Sequence, residues 1–379
     1  MLSSAVSRAR MTVVLGAVIV VAAAPLSRLA RAADPAVAVP ATGPAQPLQD
    51  EWLAPCLIAA ADGSPVAPSP SYPAGKRMSV AFRVKPDEQA RTLKAKWYAL
   101  GPRGEQFLAD SSKDLRASKD GGIVLEAPGN RVPPGKYRVD VTLDDRPWKS
   151  TELQITPPLA AAAEKPAELV PLIEGTTMAY DLLVRSGPGT KSQIPGGTSD
   201  PDGAVRGSIS FAIGPTTDDG TLFTGSIGGQ TLEMRVRLDN DGLKATRRGP
   251  AGGDLAPVDP PEMLHPLPPS LADGTEWTAT TRAGGKQGLR VFGPLPLAGP
   301  DGPAPGYVIF GEEQTAAGEP GTPAVRGKET VERHYIPNVG LVREVRVSVL
   351  GGKFSSRQEL TLRKPDRPGA AADDGAAAP

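Results

Sequence analysis

One cysteine, Cys56, stands in 379 residues. An internal disulfide is therefore excluded, and so is a thiolate zinc site. Histidine is nearly absent too, at two positions, His265 and His334. No carboxylate or second histidine lies at ligand spacing from His265, so a metal centre has no pattern to build on there. Charge of one sign is lacking: 42 Lys and Arg balance 42 Asp and Glu. That balance excludes the basic footprint of a nucleic-acid binder and a polybasic membrane patch. Aromatic residues are 4% and hydrophobic residues 39%, too sparse for one continuous core over this length, so two compact units with joins are expected. Helical periodicity is missing throughout. The nucleophile elbow Gly-x-Ser-x-Gly and the motif His-Glu-x-x-His are missing as well. Gly321 to Lys328 has one residue too many between its glycines for a phosphate loop, and Glu329 stands where Ser or Thr is required.

What the chain has in quantity is glycine and proline, 43 and 42 residues. With apolar residues alternating at period two, they describe short strands between turns and unstructured joins. Residues 1–32 read as a secretory signal. Arg8 and Arg10 form its basic start, Met11 to Ala24 its apolar run, and Ala30 and Ala32 the small residues before a cleavage at Ala33. An uncleaved anchor is the other reading, but the run falls short of the ~20 apolar residues of a membrane span. Leu53-Ala54-Pro55-Cys56 lies far beyond that run and has proline before its cysteine. It is not a lipoprotein cleavage box, and Cys56 reads as a buried structural thiol.

Residues 33–48, rich in Ala and Pro, read as a disordered linker. From Trp52 the texture changes. Met78, Val80, Phe82 and Val84 alternate with polar residues, as do Leu93, Ala95 and Trp97, and then Tyr137, Val139, Val141 and Leu143. Short strands at this spacing over 49–157 predict a β-sandwich. The run Val132-Pro133-Pro134-Gly135-Lys136-Tyr137-Arg138-Val139, followed by Leu143-Asp144-Asp145-Arg146-Pro147-Trp148, resembles the late hairpin of immunoglobulin-like modules in secreted bacterial proteins. The resemblance implies an inward tyrosine, a buried Trp97 and a spacer or interaction role.

A second Ala/Pro linker follows at 158–168, then a β-rich region at 169–365 and a disordered tail at 366–379. Asp239-Asn240-Asp241-Gly242 reads as a hairpin turn. Val325 to Tyr335, Gly340 to Leu350 and Lys353 to Arg363 read as three consecutive antiparallel strands, joined at Pro337-Asn338-Val339-Gly340 and at Gly351-Gly352. Gly249 to Pro269 and Leu297 to Pro305 read as proline-rich inserts. A meander this long must close or be covered, and no amphipathic helix is available to cover it.

Gly274-Thr275-Glu276-Trp277, with the later Tyr335-Ile336-Pro337-Asn338-Val339-Gly340-Leu341-Val342-Arg343, resembles exported bacterial families of unknown function. These carry Gly-x-x-Trp and then Tyr-x-Pro-x-Val-Gly-Leu-Val. Their fold is similar to the half-barrel of periplasmic lipoprotein carriers and lipocalin-like cups. The resemblance implies an all-β chain: an immunoglobulin-like β-sandwich followed by an antiparallel half-barrel. It carries over no ligand residues.

The expected function is non-catalytic and exported, in the periplasm or outside the cell. The half-barrel would hold a lipid-like ligand or an envelope partner on an apolar concave face. Val345, Val347, Val349, Trp277 and Tyr335 are its candidate ligand-binding residues. Tyr335 and Trp277 also read as core residues. His334 and Arg343 read as solvated strand residues, and His265 as part of an extended surface segment. The acidic turns at Asp200-Asp202, Asp218-Asp219 and Asp239-Asp241 read as Asx-Gly turns. They lack the ligand spacing of a calcium loop. No cofactor, metal, nucleic acid or membrane span after signal cleavage is implied, and assembly state is not readable. An adhesion or scaffold protein of β spacers is the alternative, and a β-fold hydrolase the third.

Overall fold

Alternation of apolar and polar residues decides where the first strands form. A computed structural model describes residues 51–75, 78–84, 91–115, 120–125, 132–188, 194–280, 285–317 and 325–363. The expected signal, the first linker and the tail lie outside them. The strands begin with β1 (Trp52–Cys56), β2 (Ile58–Ala59), β3 (Pro65–Val66), β4 (Ser71–Pro73) and β5 (Met78–Arg83). They continue with β6 (Arg91–Gly101), β7 (Gly104–Leu115), β8 (Asp120–Leu125), β9 (Gly135–Leu143) and β10 (Arg146–Thr156). One sheet has the order β1-β5-β8 and the other β4-β10-β9-β6-β7, with β4 parallel to β10. Trp97, Phe82, Leu93 and Val139 are wholly buried between them. Tyr137 points inward at the start of β9, and its hydroxyl donates to the Pro133 carbonyl at 2.6 Å. Asp144 and Asp145 both take positive φ, 51° and 62°, which closes the β9–β10 hairpin in two residues.

The second region begins with β11 (Thr177–Ser186), β12 (Thr198–Ser199), β13 (Val205–Thr217), β14 (Gly220–Ile227) and β15 (Gln230–Asp239). Next come β16 (Gly242–Pro250), β17 (Ala256–Pro266), β18 (Glu276–Thr280), β19 (Lys286–Gly299) and β20 (Gly302–Ala317). β21 (Val325–Ile336), β22 (Gly340–Leu350) and β23 (Lys353–Leu362) complete it. They form one antiparallel sheet, in the order β17-β16-β15-β14-β13-β11-β23-β22-β21-β20-β19-β18, with β12 on β13. The first strand of the region thus lies between the two runs of hairpins, paired with β13 and β23. The sheet curls into a nearly closed, barrel-like wall, so the chain is all-β with a half-barrel. The stretches read as inserts are part of this wall: Gly249 to Pro269 contributes β17, and Leu297 to Pro305 forms the end of the β19–β20 hairpin. Local polarity hid them, because their pairing partners are supplied by neighbouring strands. The corner between β21 and β22 has Pro337 followed by Asn338 at φ 61°, a type II pattern, with Val339 N–H donating to the Ile336 carbonyl at 3.0 Å.

Pairing register separates the two faces of this sheet. Tyr335, Arg333, Val331 and Glu329 share one face of β21, whereas His334, Glu332 and Thr330 share the other. The first face is the inner one: Tyr335 reaches His265 of β17, at the far end of the strand order. The second is the outer face, and the sandwich covers it. Ala67 N–H donates to Glu332 Oε1 at 3.0 Å, and Ala61 N–H to Thr330 Oγ1 at 3.2 Å. Leu57, Val66 and Tyr72 share a buried cluster with Phe292, Val308 and Phe310.

The inner face is sealed at its corner end by the stretch read as a linker. A 3-10 turn at Pro166–Leu169 places Leu169, with no exposed surface, among Tyr335, Tyr307, Leu289 and Val291. The Asn338 N–H donates to the Glu168 carbonyl at 3.0 Å, and Ala162 N–H to the Tyr307 hydroxyl at 3.3 Å. Leu169→Ala is expected to cost about 3 kcal/mol, from lost burial plus the cavity left behind. A urea unfolding curve followed by tryptophan fluorescence measures it. A change within error of zero would mean that the join is not part of the core.

Candidate functional site

The strand β21 carries charge on both faces, and each face uses it differently. On the outer face, Glu332 is 4% exposed. Its Oε1 accepts from Ala67 N–H, lies 2.5 Å from His334 Nε2, and is 3.4 Å from Arg343 Nη1. Burial pushes this carboxyl up, but His334 and Arg343 overcome that and hold it below the ordinary value. Arg343 Nε also donates to Glu359 Oε1 at 2.9 Å, and Arg357 Nη1 to Ser64 Oγ at 3.0 Å. The Ala67–Glu332 and Ser64–Arg357 bonds bind the sandwich to the half-barrel. His334, read as solvated, is 8% exposed and belongs to this junction. The sandwich over it was not visible from the strand's own sequence.

On the inner face, Arg333 Nε donates to Glu344 Oε2 at 2.7 Å, with both side chains almost fully buried. Arg346 Nη1 donates to Glu329 Oε1 at 2.6 Å, and its Nη2 lies 3.6 Å from Glu344 Oε1. Ser348 Oγ donates to Glu329 Oε2 at 3.2 Å. Burial raises the Glu344 carboxyl, and the Arg333 and Arg346 guanidiniums more than offset it, so its pKa is lowered. Across the barrel, His265 Nδ1 and the Tyr335 hydroxyl are 3.0 Å apart, and Arg248 Nη2 donates to Glu262 Oε2 at 2.6 Å. Exposure grows along this wall. Tyr335 has no exposed surface and Arg333 is 4% exposed, while the Arg346 and Glu329 side chains reach 23% and 22%. The charged wall therefore runs from a sealed floor to a wet rim.

The five residues expected to form a ligand face divide between the two sides of the sheet. Trp277 lies in register with Leu289, Gly311 and Val331, and so shares the inner face with Tyr335. Val345 and Val347 pair with Glu332 and Thr330, and Val349 pairs with Lys328, which puts all three on the outer face. Val345 and Val347 are 3% and 1% exposed there. The outer side of β22 is covered by the sandwich and takes apolar residues for that reason. Sequence reasoning missed Arg333, Glu344, Arg346, Glu329, Arg248 and Glu262, whose charges read as solvated strand faces. The signal was present in β21, where Glu329, Glu332, Arg333 and His334 fall on both phases of the alternation. His265, expected on an extended surface segment, lies on β17 and meets Tyr335.

No family model and no curated protein matches this chain. Among solved structures it is similar to a candidate exported protein with a YmcC-like fold from Bacteroides fragilis NCTC 9343. That match has 13% identity and a TM-score of 0.24, and covers 52% of this chain and 99% of the other. It is also similar to a candidate lipoprotein from Parabacteroides distasonis ATCC 8503, at 12% identity and a TM-score of 0.20, covering 52% and 98%. Likeness at this level carries no argument about role.

Other features have local explanations. Asp200 pairs with Arg206, Asp202 with Arg185, and Asp239 and Asp241 with Lys244. Cys56 is 1% exposed, and burial pushes its thiol up to about 11.

The His265 ring is pushed down to about 4, chiefly by burial, with the Arg333 charge adding to the effect. An unfolded chain takes up that proton near the ordinary value of 6.5, and the folded chain resists it. Stability from this group is thus full above pH ~6.5 and is lost as pH falls toward ~4. Between pH 7 and pH 5 the loss is roughly 2 kcal/mol. The lowered pKa of Glu344 adds a loss of the same sign at more acid pH. Urea midpoints at the two pH values are expected to differ for the native chain and to draw together in His265→Gln. Equal slopes in both proteins would place the titration elsewhere.

Proposed function

We propose that this chain is an exported, non-catalytic binding protein whose ligand enters the half-barrel from its wet rim. One observation carries the reading: on the inner wall, Arg346 and Glu329 touch solvent while the adjoining Arg333 and Glu344 are buried. Solvent reaching side chains inside a curved sheet marks a hollow, and concave hollows with a few convergent polar groups are the usual form of ligand sites. The apolar inner residues Ile213, Phe223, Met234 and Val236 are already buried together. The accessible part is therefore polar, and a lipid-like ligand would be held there by its headgroup. Export to the periplasm or beyond rests on the signal-like residues 1–32.

Non-catalysis is supported by chemistry. Glu344 is held ionised by two guanidiniums and is a poor general acid. The two histidines lie on opposite faces of the sheet and do not converge. The first region fits an immunoglobulin-like module that presents the half-barrel to an envelope partner. Its two sheets follow the strand pairing of that fold, and the Tyr137 hydroxyl bond to Pro133 has the form of its tyrosine corner. A scaffold role has one observation in its favour: Phe107, 53% exposed, on the long strand β7 at a sheet edge.

Mass spectrometry of small molecules extracted from the mature protein, purified natively from its own envelope, tests the binding reading. A bound amphiphile or small acid near one per chain is expected. An extract matching that of an unrelated exported protein would favour the scaffold.

A further inference from the structure

Buried side-chain groups without a partner among the described residues include Trp97 Nε1, Arg290 Nε and the Ser111 and Thr176 hydroxyls, and beside these a set of N–H donors on the inner wall. Among the described residues, Arg333 Nη1, Arg346 Nε, Arg248 Nε and Trp277 Nε1 are buried and have no partner. All four are N–H donors on the inner face. The acceptors are committed: Glu344 Oε2 to Arg333, Glu329 Oε1 to Arg346 and Oε2 to Ser348, and Glu262 Oε2 to Arg248. No carboxylate oxygen is among the buried unpartnered atoms. Buried polar groups are ordinarily satisfied, and an orphaned one calls for an explanation. The group missing from this wall is an acceptor.

Its character follows from the donors. Arg333 is the deepest of them, 4% exposed; its Nε donates to Glu344, and among the described residues its Nη1 has no partner. A guanidinium with free N–H groups away from bulk water bonds most strongly to an ionised oxygen, because charge-assisted hydrogen bonds are the stronger kind and the planar fork matches a carboxylate or phosphate. On the β21–β22 wall the two guanidiniums, Arg333 and Arg346, are balanced by the two carboxylates, Glu344 and Glu329. An arriving anion therefore brings one net negative charge, next to Arg346, which already bridges Glu329 and Glu344. His265, uncharged on the facing strand, can take up a proton when an anion arrives.

We propose that the half-barrel binds an oxyanion, a carboxylate or a phosphate, held by Arg333 Nη1 and Arg346 Nε. The inference rests on the binding reading above and narrows it to a ligand class. The anion comes either free or as the headgroup of an amphiphile.

Calorimetric titration of the full mature chain with octanoate, octyl phosphate, inorganic phosphate and methyl octanoate tests it. Octanoate or octyl phosphate is expected to bind at least tenfold more tightly than the uncharged ester. Arg333→Lys keeps a positive charge opposite Glu344 but lacks the fork. It is expected to weaken the anionic probes at least tenfold and leave the ester unchanged. Should that variant fail to fold, Arg346→Lys at the more exposed rim carries the same expectation. Inorganic phosphate binding as tightly as octyl phosphate would identify a free anion as the ligand, and preference for the octyl probes a lipid headgroup. Ester and octanoate binding equally, with both lysine variants unchanged, would overturn the oxyanion assignment and leave the binding reading standing. No binding of any probe would overturn both.

Discussion

A strand buried on both faces can carry charge only where each charge is met, and Val325–Ile336 carries charge on both. Outward, Glu332 is met by His334, Arg343 and a backbone N–H from the sandwich. Inward, Arg333 is met by Glu344. Removing one member of such a pair leaves a buried charge uncompensated, which costs far more than the pair contributes. The register of this strand is thereby fixed from two sides. A slip of one residue would put Glu332 into the barrel and Arg333 against the sandwich, each without its partner.

That double commitment shapes the rest of the molecule. Polar anchoring orients the sandwich over the outer face, and apolar contacts from Leu57, Val66 and Tyr72 fill in around it. With the outer face closed by the sandwich, the proposed ligand space lies on the inner side. There the β21–β22 wall is ionic and the β13–β16 wall is apolar and packed. The two walls differ in polarity: hydrogen-bonding power on one side, packed hydrocarbon on the other.

Much of this was legible in the chain. Period-two alternation located β5, β6, β9 and the β21–β23 meander, and Tyr137 and Trp97 turned inward as the sandwich pattern implied. The proline-rich β17 was not legible, because its strand character comes from pairing with β16 rather than from its own residues. Nor was the inner charged wall. Alternation reports which residues share a face, but not what covers that face, and here both faces are covered. Val345 and Val347 accordingly lie on the covered outer side of β22, in register with Glu332 and Thr330. The inward charges escaped because a lone Arg or Glu on a strand normally points to water.

The join between the two regions has a mechanical meaning. Leu169 directly follows the connection at 158–168 and is part of the barrel floor, buried in one cluster with Tyr335 and Tyr307. The two regions therefore do not behave as beads on a string. A force that draws the sandwich away from the half-barrel pulls on the plug that seals its floor, so separation of the units and opening of the barrel are a single movement. A boundary drawn through this join to isolate either unit would cut through a core.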